Sequence, residues 1–259
     1  MFSGVAMAVE NNPPPSSAVL IIGDEILSGR TQDTNLAYIA GFLGAYGIDV
    51  CEARVVRDVE EEIVVAVNEL RTRHTYVFTT GGIGPTHDDI TADAVGRAFG
   101  VEVDYDPQAL ALLAPRYRPG EFNDMRRRMA RIPRGASLIR NTVSVAPGFH
   151  IGNVFVLAGV PMIMRAMLED VGPRLSRGRV VVSCTIQAHV GEGRIASELA
   201  RIQSEHAEVA IGSYPQFSEN GPRVQLVVRG RDADAVNKAA DSIVAALARD
   251  GIDSARIDS

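Results

Sequence analysis

Thr79-Thr80-Gly81-Gly82-Ile83-Gly84-Pro85-Thr86-His87-Asp88-Asp89-Ile90-Thr91 follows an apolar strand-like run, Tyr76-Val77-Phe78, and precedes a helical pattern over residues 92–99. Strand, glycine-rich turn and helix in that order predict an α/β unit with the turn at a strand end. Three glycines let the backbone turn sharply and come close to a ligand. Amides of such a turn, at a helix N-terminus, line an anion site. Asp88 and Asp89 set two carboxylates beside it, a pattern that points to a metal-assisted phosphate site.

The same alternation extends on both sides of this stretch. Ala18-Val19-Leu20-Ile21-Ile22 is too apolar to alternate and reads as a buried strand, turned by Gly23-Asp24-Glu25. Apolar spacing predicts a helix over 34–46, with Asn35 at its start as cap or ligand contact, then a strand over 50–56. Asp58 caps a predicted helix over 59–71, whose first turn is acidic as the helix dipole prefers. Residues 107–131 read as helical but basic, interrupted by Pro115 and Pro119, and residues 141–149 as a loop or short strand pair. Val154-Phe155-Val156-Leu157 reads as another buried strand, turned by Ala158-Gly159-Val160-Pro161 and followed by a helix over about 162–171. Strands alternating with helices predict a mostly parallel sheet, whose strand ends carry the ligands. Asp24, Glu25, Asp58, the 81–89 turn and residues 159–161 are therefore expected along one edge.

Residues 172–178 mark a boundary. Beyond it a strand, helix, strand, strand, helix order predicts a small α+β domain over 179–251, with a tail over 252–259. The Pro- and Ser-rich start, residues 1–17, reads as a disordered leader without the features of a signal peptide.

With 259 residues, 46% of them apolar, the chain is long enough for a sizeable core. A formal charge of -6 gives no general footprint for nucleic acid. The two cysteines, Cys51 and Cys184, lie far apart in apolar runs and read as buried free thiols, which favours a reducing cytoplasm. No apolar run has the length of a membrane helix. The basic run Arg126-Arg127-Arg128, with Arg131 and Arg134, is either a solvated helix face or a neutraliser of substrate phosphates.

Taken together, residues 22–29, Asp33-Thr34-Asn35, Val56-Arg57-Asp58, the 79–91 stretch, Ala146-Pro147-Gly148-Phe149 and Gly159-Val160-Pro161 resemble the competence/damage-inducible protein A (CinA) family in its molybdopterin-binding-like domain. The resemblance implies a three-layer α/β/α sandwich over 18–176. The second domain resembles the small KH-like domain that follows this module, with Gly212-Ser213-Tyr214-Pro215 where that domain has a turn. A KH domain that binds RNA carries a Gly-x-x-Gly loop with basic residues nearby; Gly191-Glu192-Gly193-Arg194 is shorter and includes an acid, so nucleic acid is not the expected partner. Full-length CinA proteins carry a C-terminal amidohydrolase domain after the KH-like one; no such domain follows here, and deamidation is not expected.

The resemblance further implies a hydrolase of nucleotide pyrophosphates, ADP-ribose giving AMP and ribose 5-phosphate, helped by magnesium, manganese or cobalt. Related adenylyltransferases use the carboxylates that match Asp58 and Asp89, and Asp88 is added as a third catalytic candidate. Asp24, Glu25 and Asp89 are the metal candidates. Thr80, Gly81, Gly82, Gly84, Thr86, His87, Thr91, Asn35, Asn141, Pro147 and Gly148 are the phosphate- and nucleotide-binding candidates. A small nucleotide or pterin ligand and a homo-oligomer are expected. The chain departs from the family in having Ile163 where a glutamate is common, and Thr142, Ser144 and Val145 where Pro, Gly and Thr are common. Those departures keep open a second reading, a nucleotide- or pterin-binding module with little turnover. A third is molybdopterin adenylyl transfer.

Overall fold

The computed structural model of the chain describes residues 14–218 and 221–257. The chain divides between Gly178 and Arg179 into two compact units. Most of the expected leader lies outside the described residues, while Ser16 and Ser17 already belong to the first strand.

In chain order the first unit contains β1 (Ser16–Ile22), α1 (Asp24–Leu27), α2 (Asn35–Ala45), β2 (Asp49–Val56), α3 (Glu60–Arg73), β3 (Tyr76–Thr80), α4 (Thr91–Phe99), β4 (Val103–Tyr105), α5 (Pro107–Leu113), α6 (Asp124–Arg127), β5 (Arg131–Pro133), β6 (Ser137–Ile139), β7 (Gly148–Ile151), β8 (Val154–Leu157) and α7 (Pro161–Val171). A six-stranded sheet runs β2-β1-β3-β8-β7-β6. Its first four strands are parallel, and β7 and β6 are antiparallel to what precedes them.

β1 shows why its sequence does not alternate. Val19 and Ile21 enter one core with Ile39 and Leu43 of α2 and Met164, Met167 and Leu168 of α7. Ala18, Leu20 and Ile22 enter another with Ile63 and Val67 of α3 and Ala94 and Val95 of α4. Helices cover both faces, so every position must be apolar. Each fully buried aliphatic side chain contributes about 1.5–3 kcal/mol. This is the expected three-layer α/β/α arrangement.

β2 departs from expectation because it is the sheet's edge strand. Cys51 is exposed and Cys184 half-buried, so neither is the fully buried thiol expected. The basic stretch folds as the short helices α5 and α6, capped by Asp106 and Asn123, whose side chains accept N–H bonds from Ala109 at 2.8 Å and Arg126 at 3.0 Å.

The second unit contains β9 (Val182–Ala188), α8 (Glu192–Glu205), β10 (Ala210–Ser218), β11 (Gly221–Gly230), α9 (Ala233–Arg249) and β12 (Ser254–Ile257). Its four-stranded antiparallel sheet runs β10-β11-β9-β12. That order is a split βαβ arrangement. Ile186, Val224, Leu226 and Val228 pack under Ile195 and Ile202 of α8 and Val236, Ala240 and Ile243 of α9. Two expectations change here. Residues 254–257, read as tail, form a strand on β9. Gly212-Ser213-Tyr214-Pro215 lies inside β10 rather than in a turn. Among the described residues no helix is long and apolar enough to cross a membrane.

Candidate functional site: a glycine-rich loop at the strand ends

The parallel strands β2, β1, β3 and β8 end side by side, and their following loops interlock. Gly81 has φ 102, and a Cβ there would stand 2.1 Å from the Ile22 carbonyl oxygen. A Cβ on Gly159 would be 3.2 Å from Gly81 Cα. Only glycine lets the β1, β3 and β8 loops approach this closely. Gly82, with φ 67, turns against Thr91, whose Oγ1 a Cβ there would meet at 2.1 Å.

Thr91 is fully buried at the start of α4. Its hydroxyl donates to the Gly81 carbonyl at 3.0 Å, and its N–H donates to the Gly82 carbonyl at 3.0 Å. Asp89 closes the loop from the other end. Its Oδ2 accepts from Thr86 N at 2.7 Å and from Thr86 Oγ1 at 2.5 Å, and its carboxylate lies against Gly84. Gly81 N donates to the Leu157 carbonyl at 3.2 Å. The next three N–H groups, of Gly82, Ile83 and Gly84, have no hydrogen-bond acceptor among the described residues. Three donors without protein acceptors thus lie beside the N-terminus of α4, an arrangement whose chemistry suits an anion.

A shallow cleft opens onto this loop, lined among others by Gly82, Ile83, Gly84, Asp89, Arg128 and Pro147. A second cleft on the other flank is lined by Glu25, Asp33, Asn35, Thr80, Gly81 and Gly159, among others. Asn35 is 5% exposed. Its Nδ2 donates to the Gly159 carbonyl at 2.7 Å, and its Oδ1 is buried without a partner. Thr80 is buried at the end of β3.

The carboxylates lie near one another without converging. Asp58 does not cap the following helix; its Oδ2 accepts the N–H of Asp24 at 2.9 Å. Burial, and then the negative charges of Glu25, Asp24 and Asp88, push the Asp58 carboxyl up, while the Asp24 N–H acts the other way. Asp24 pairs loosely with Arg57 at 3.5 Å, on the surface. Glu25 folds its carboxylate over Gly23. Asp88 is exposed, and the Thr86 hydroxyl close by holds it below the usual carboxylate range. Among the described residues no group of three or more His, Cys, Asp or Glu side chains is placed to hold a metal ion. Of the three expected metal ligands, Asp24 faces Arg57 and Asp89 is held by Thr86, while the Glu25 carboxylate lies over Gly23.

The remaining candidates divide. His87 stands at the loop tip with its side chain 95% exposed and Asp88 3.9 Å away. Asn141 is spent on its own loop: Nδ2 donates to the Ala146 carbonyl at 2.6 Å, and Oδ1 accepts from Val143 N at 3.1 Å and Ser144 N at 2.7 Å. That loop carries Val145 at φ 59, a conformation costly for a β-branched residue. Gly148 is glycine for packing, since a Cβ there would meet the Val156 carbonyl at 2.3 Å. Arg131 reads in the sequence only as part of a basic run, yet it forms a bidentate pair with Asp93 at 2.7 Å on both nitrogens. Asp93 carries no local signal in the sequence, since its partner is remote along the chain.

Comparison with known proteins identifies the family. The family described as "Probable molybdopterin binding domain" matches residues 18–177, and the family described as "FAD synthase, middle domain" matches residues 180–256. The chain is 36% identical over 233 residues to a CinA-like protein of Citrifermentans bemidjiense, covering 84% of this chain and 54% of that protein. It is 36% identical over 235 residues to a protein of Thermococcus kodakarensis, covering 85% of this chain and 92% of that one. The crystal structure of the protein CinA with unknown function from Thermoplasma acidophilum is 34% identical, superposes with a TM-score of 0.59, and covers 62% of this chain and 98% of that chain. The chain spans about half the length of the CinA-like proteins it matches, 54% and 56% for two of them. On the family match across residues 18–177 and the extent of these similarities, the chain belongs to the CinA-like family of molybdopterin-binding-domain proteins.

Proposed function

We propose that the first unit binds the diphosphate of a nucleotide or pterin on the 82–84 amides, and that it hydrolyses a nucleotide pyrophosphate. ADP-ribose is the proposed substrate; water adds across the P–O–P bond to give AMP and ribose 5-phosphate. The observation that supports this is the run of three N–H groups without acceptors, flanked on the same sheet edge by Asp58, Asp24, Glu25 and Asp88.

Preorganised amides stabilise charge that develops on phosphoryl oxygens as the bond breaks. Asp58 is the proposed proton acceptor from water, since burial and neighbouring charges raise its basicity. Asp89 acts as a positioning residue, holding Thr86 and hence the loop. A divalent cation is proposed as part of the substrate. Magnesium commonly takes one or two carboxylates and completes its shell with phosphate oxygens and water, which does not require a resident cage. A homo-oligomer and a cytoplasmic setting belong to the same proposal.

A second reading is a nucleotide- or pterin-binding module with little turnover. It is favoured by Ile163, half-buried in the first turn of α7, where a family glutamate would stand. The test is incubation of ADP-ribose with magnesium, manganese or cobalt in turn and chromatography of the products. AMP formation that Asp58→Asn and Asp89→Asn each reduce supports the hydrolase. ADP-ribose that binds but stays intact supports the binding module. Consumption of ATP only with molybdopterin present would instead indicate adenylyl transfer.

A further inference from the structure

Arg126 and Arg127 lie over the rings of Tyr117 and Phe122, at 4.5 and 5.5 Å. Arg131 is fully engaged by Asp93. Arg128 behaves differently. Its Nε is buried without a hydrogen-bond partner, and a terminal nitrogen makes one long bond, 3.4 Å, to the Asp89 carbonyl. It lines the same cleft as Gly82, Ile83 and Gly84, whose amides also lack acceptors. Arg128 as a whole is half-buried, but an N–H placed out of water without an acceptor, as its Nε is, is costly. Here residues with unsatisfied donors, one side chain and one loop, line a single cleft, and the two carboxylates that also line it, Asp89 and Asp93, are already held by Thr86 and Arg131.

The chemical complement of several N–H donors and one delocalised cation is an oxyanion with several acceptor oxygens. Apolar side chains of Met129, Ile132 and Phe149 line the same cleft. They limit water, which strengthens each charge-assisted bond. We infer that Arg128 is a phosphate-binding residue, which grips a phosphate or diphosphate together with the 82–84 amides while keeping its bond to the Asp89 carbonyl. The guanidinium then joins ligand to loop. This rests on the reading of the 82–84 amides as a phosphate cradle, and it stands whether or not the bound diphosphate is hydrolysed.

The experiment is calorimetric titration of the full chain with inorganic pyrophosphate, and separately with adenosine. Wild type binds pyrophosphate. Arg128→Gln weakens that binding by about 10- to 100-fold, the range for losing charge-assisted hydrogen bonds. Arg128→Lys, which keeps the charge but not the fork, falls between, and the exposed neighbour variant Arg127→Gln matches wild type. Adenosine binding does not respond to Arg128. Thermal melts show whether each variant is folded, and Arg128→Lys serves if Arg128→Gln is not. Wild-type pyrophosphate affinity in both Arg128 variants, or no pyrophosphate binding by wild type, overturns the inference. Arg128-dependent pyrophosphate binding without ADP-ribose hydrolysis upholds it while the hydrolase reading falls.

Discussion

Asp58 Oδ2 accepts the backbone N–H of Asp24 at 2.9 Å, which fastens the end of β2 to the turn after β1. Burial and the nearby acidic charges hold the Asp58 carboxyl above its ordinary value. A carboxyl raised in the folded state contributes its stability fully below the unfolded pKa, and loses it as pH rises through the folded one. Asp58→Asn can still accept the Asp24 N–H. It is expected to melt higher than wild type at neutral pH, with the difference vanishing in acid below the usual aspartate range, and to lose ADP-ribose turnover. A lower melting temperature at neutral pH would show that the carboxylate's hydrogen bond outweighs the repulsion.

Thr91 is the buried anchor of the glycine-rich loop. Thr91→Val keeps the shape and removes the hydroxyl that bonds the Gly81 carbonyl. Leaving that acceptor unpaired is expected to cost about 1–3 kcal/mol in urea denaturation. Thr91→Ser, which restores the donor, should recover most of it. Equal stability of the two variants would remove the hydroxyl's assigned role.

Gly81 and Gly29 both have positive φ, 102 and 72, but only Gly81 is crowded. Gly29→Ala should cost about 1–2 kcal/mol for the left-handed backbone alone. Gly81→Ala adds a collision with the Ile22 carbonyl and should cost more than about 3 kcal/mol. Denaturant midpoints of the pair test this; similar losses would mean that the loops part without penalty.

Ile163→Glu separates the two functional readings. The first turn of α7 favours an acid by about 0.3–1 kcal/mol, which offsets part of the burial that the isoleucine side chain provides, so the variant should fold. The hydrolase reading predicts wild-type turnover of ADP-ribose. Turnover that appears only in the variant would assign the natural chain to the binding module.

Much of the sheet is legible in the sequence because burial on both faces leaves a continuous apolar run, as in β1 and β8. The 79–91 loop is legible because its glycines serve close approaches that no other residue permits. β12 is not legible: Ala255, Arg256 and Ile257 are exposed, and the strand is held by backbone pairing to β9. Cys51 misleads because an edge strand can be apolar in composition and still face solvent. Asp58 reads as a helix cap because sequence reports its neighbour Val59, whereas its partner, Asp24, lies across the sheet edge. The carboxylates of Asp24, Glu25 and Asp89 share an edge, as their strand positions require, but Asp24 turns to Arg57 and Asp89 to Thr86, partners that spacing does not reveal.

Ligand phosphates seated on the 82–84 amides must change the surroundings of those three N–H groups. An amide-resolved NMR titration of the nitrogen-labelled chain with ADP-ribose reads that change residue by residue. Saturable shifts led by the Gly82, Ile83 and Gly84 amides, and lost in Thr91→Val, are expected. Saturable shifts confined to other residues, with these three unmoved, would contradict the phosphate cradle.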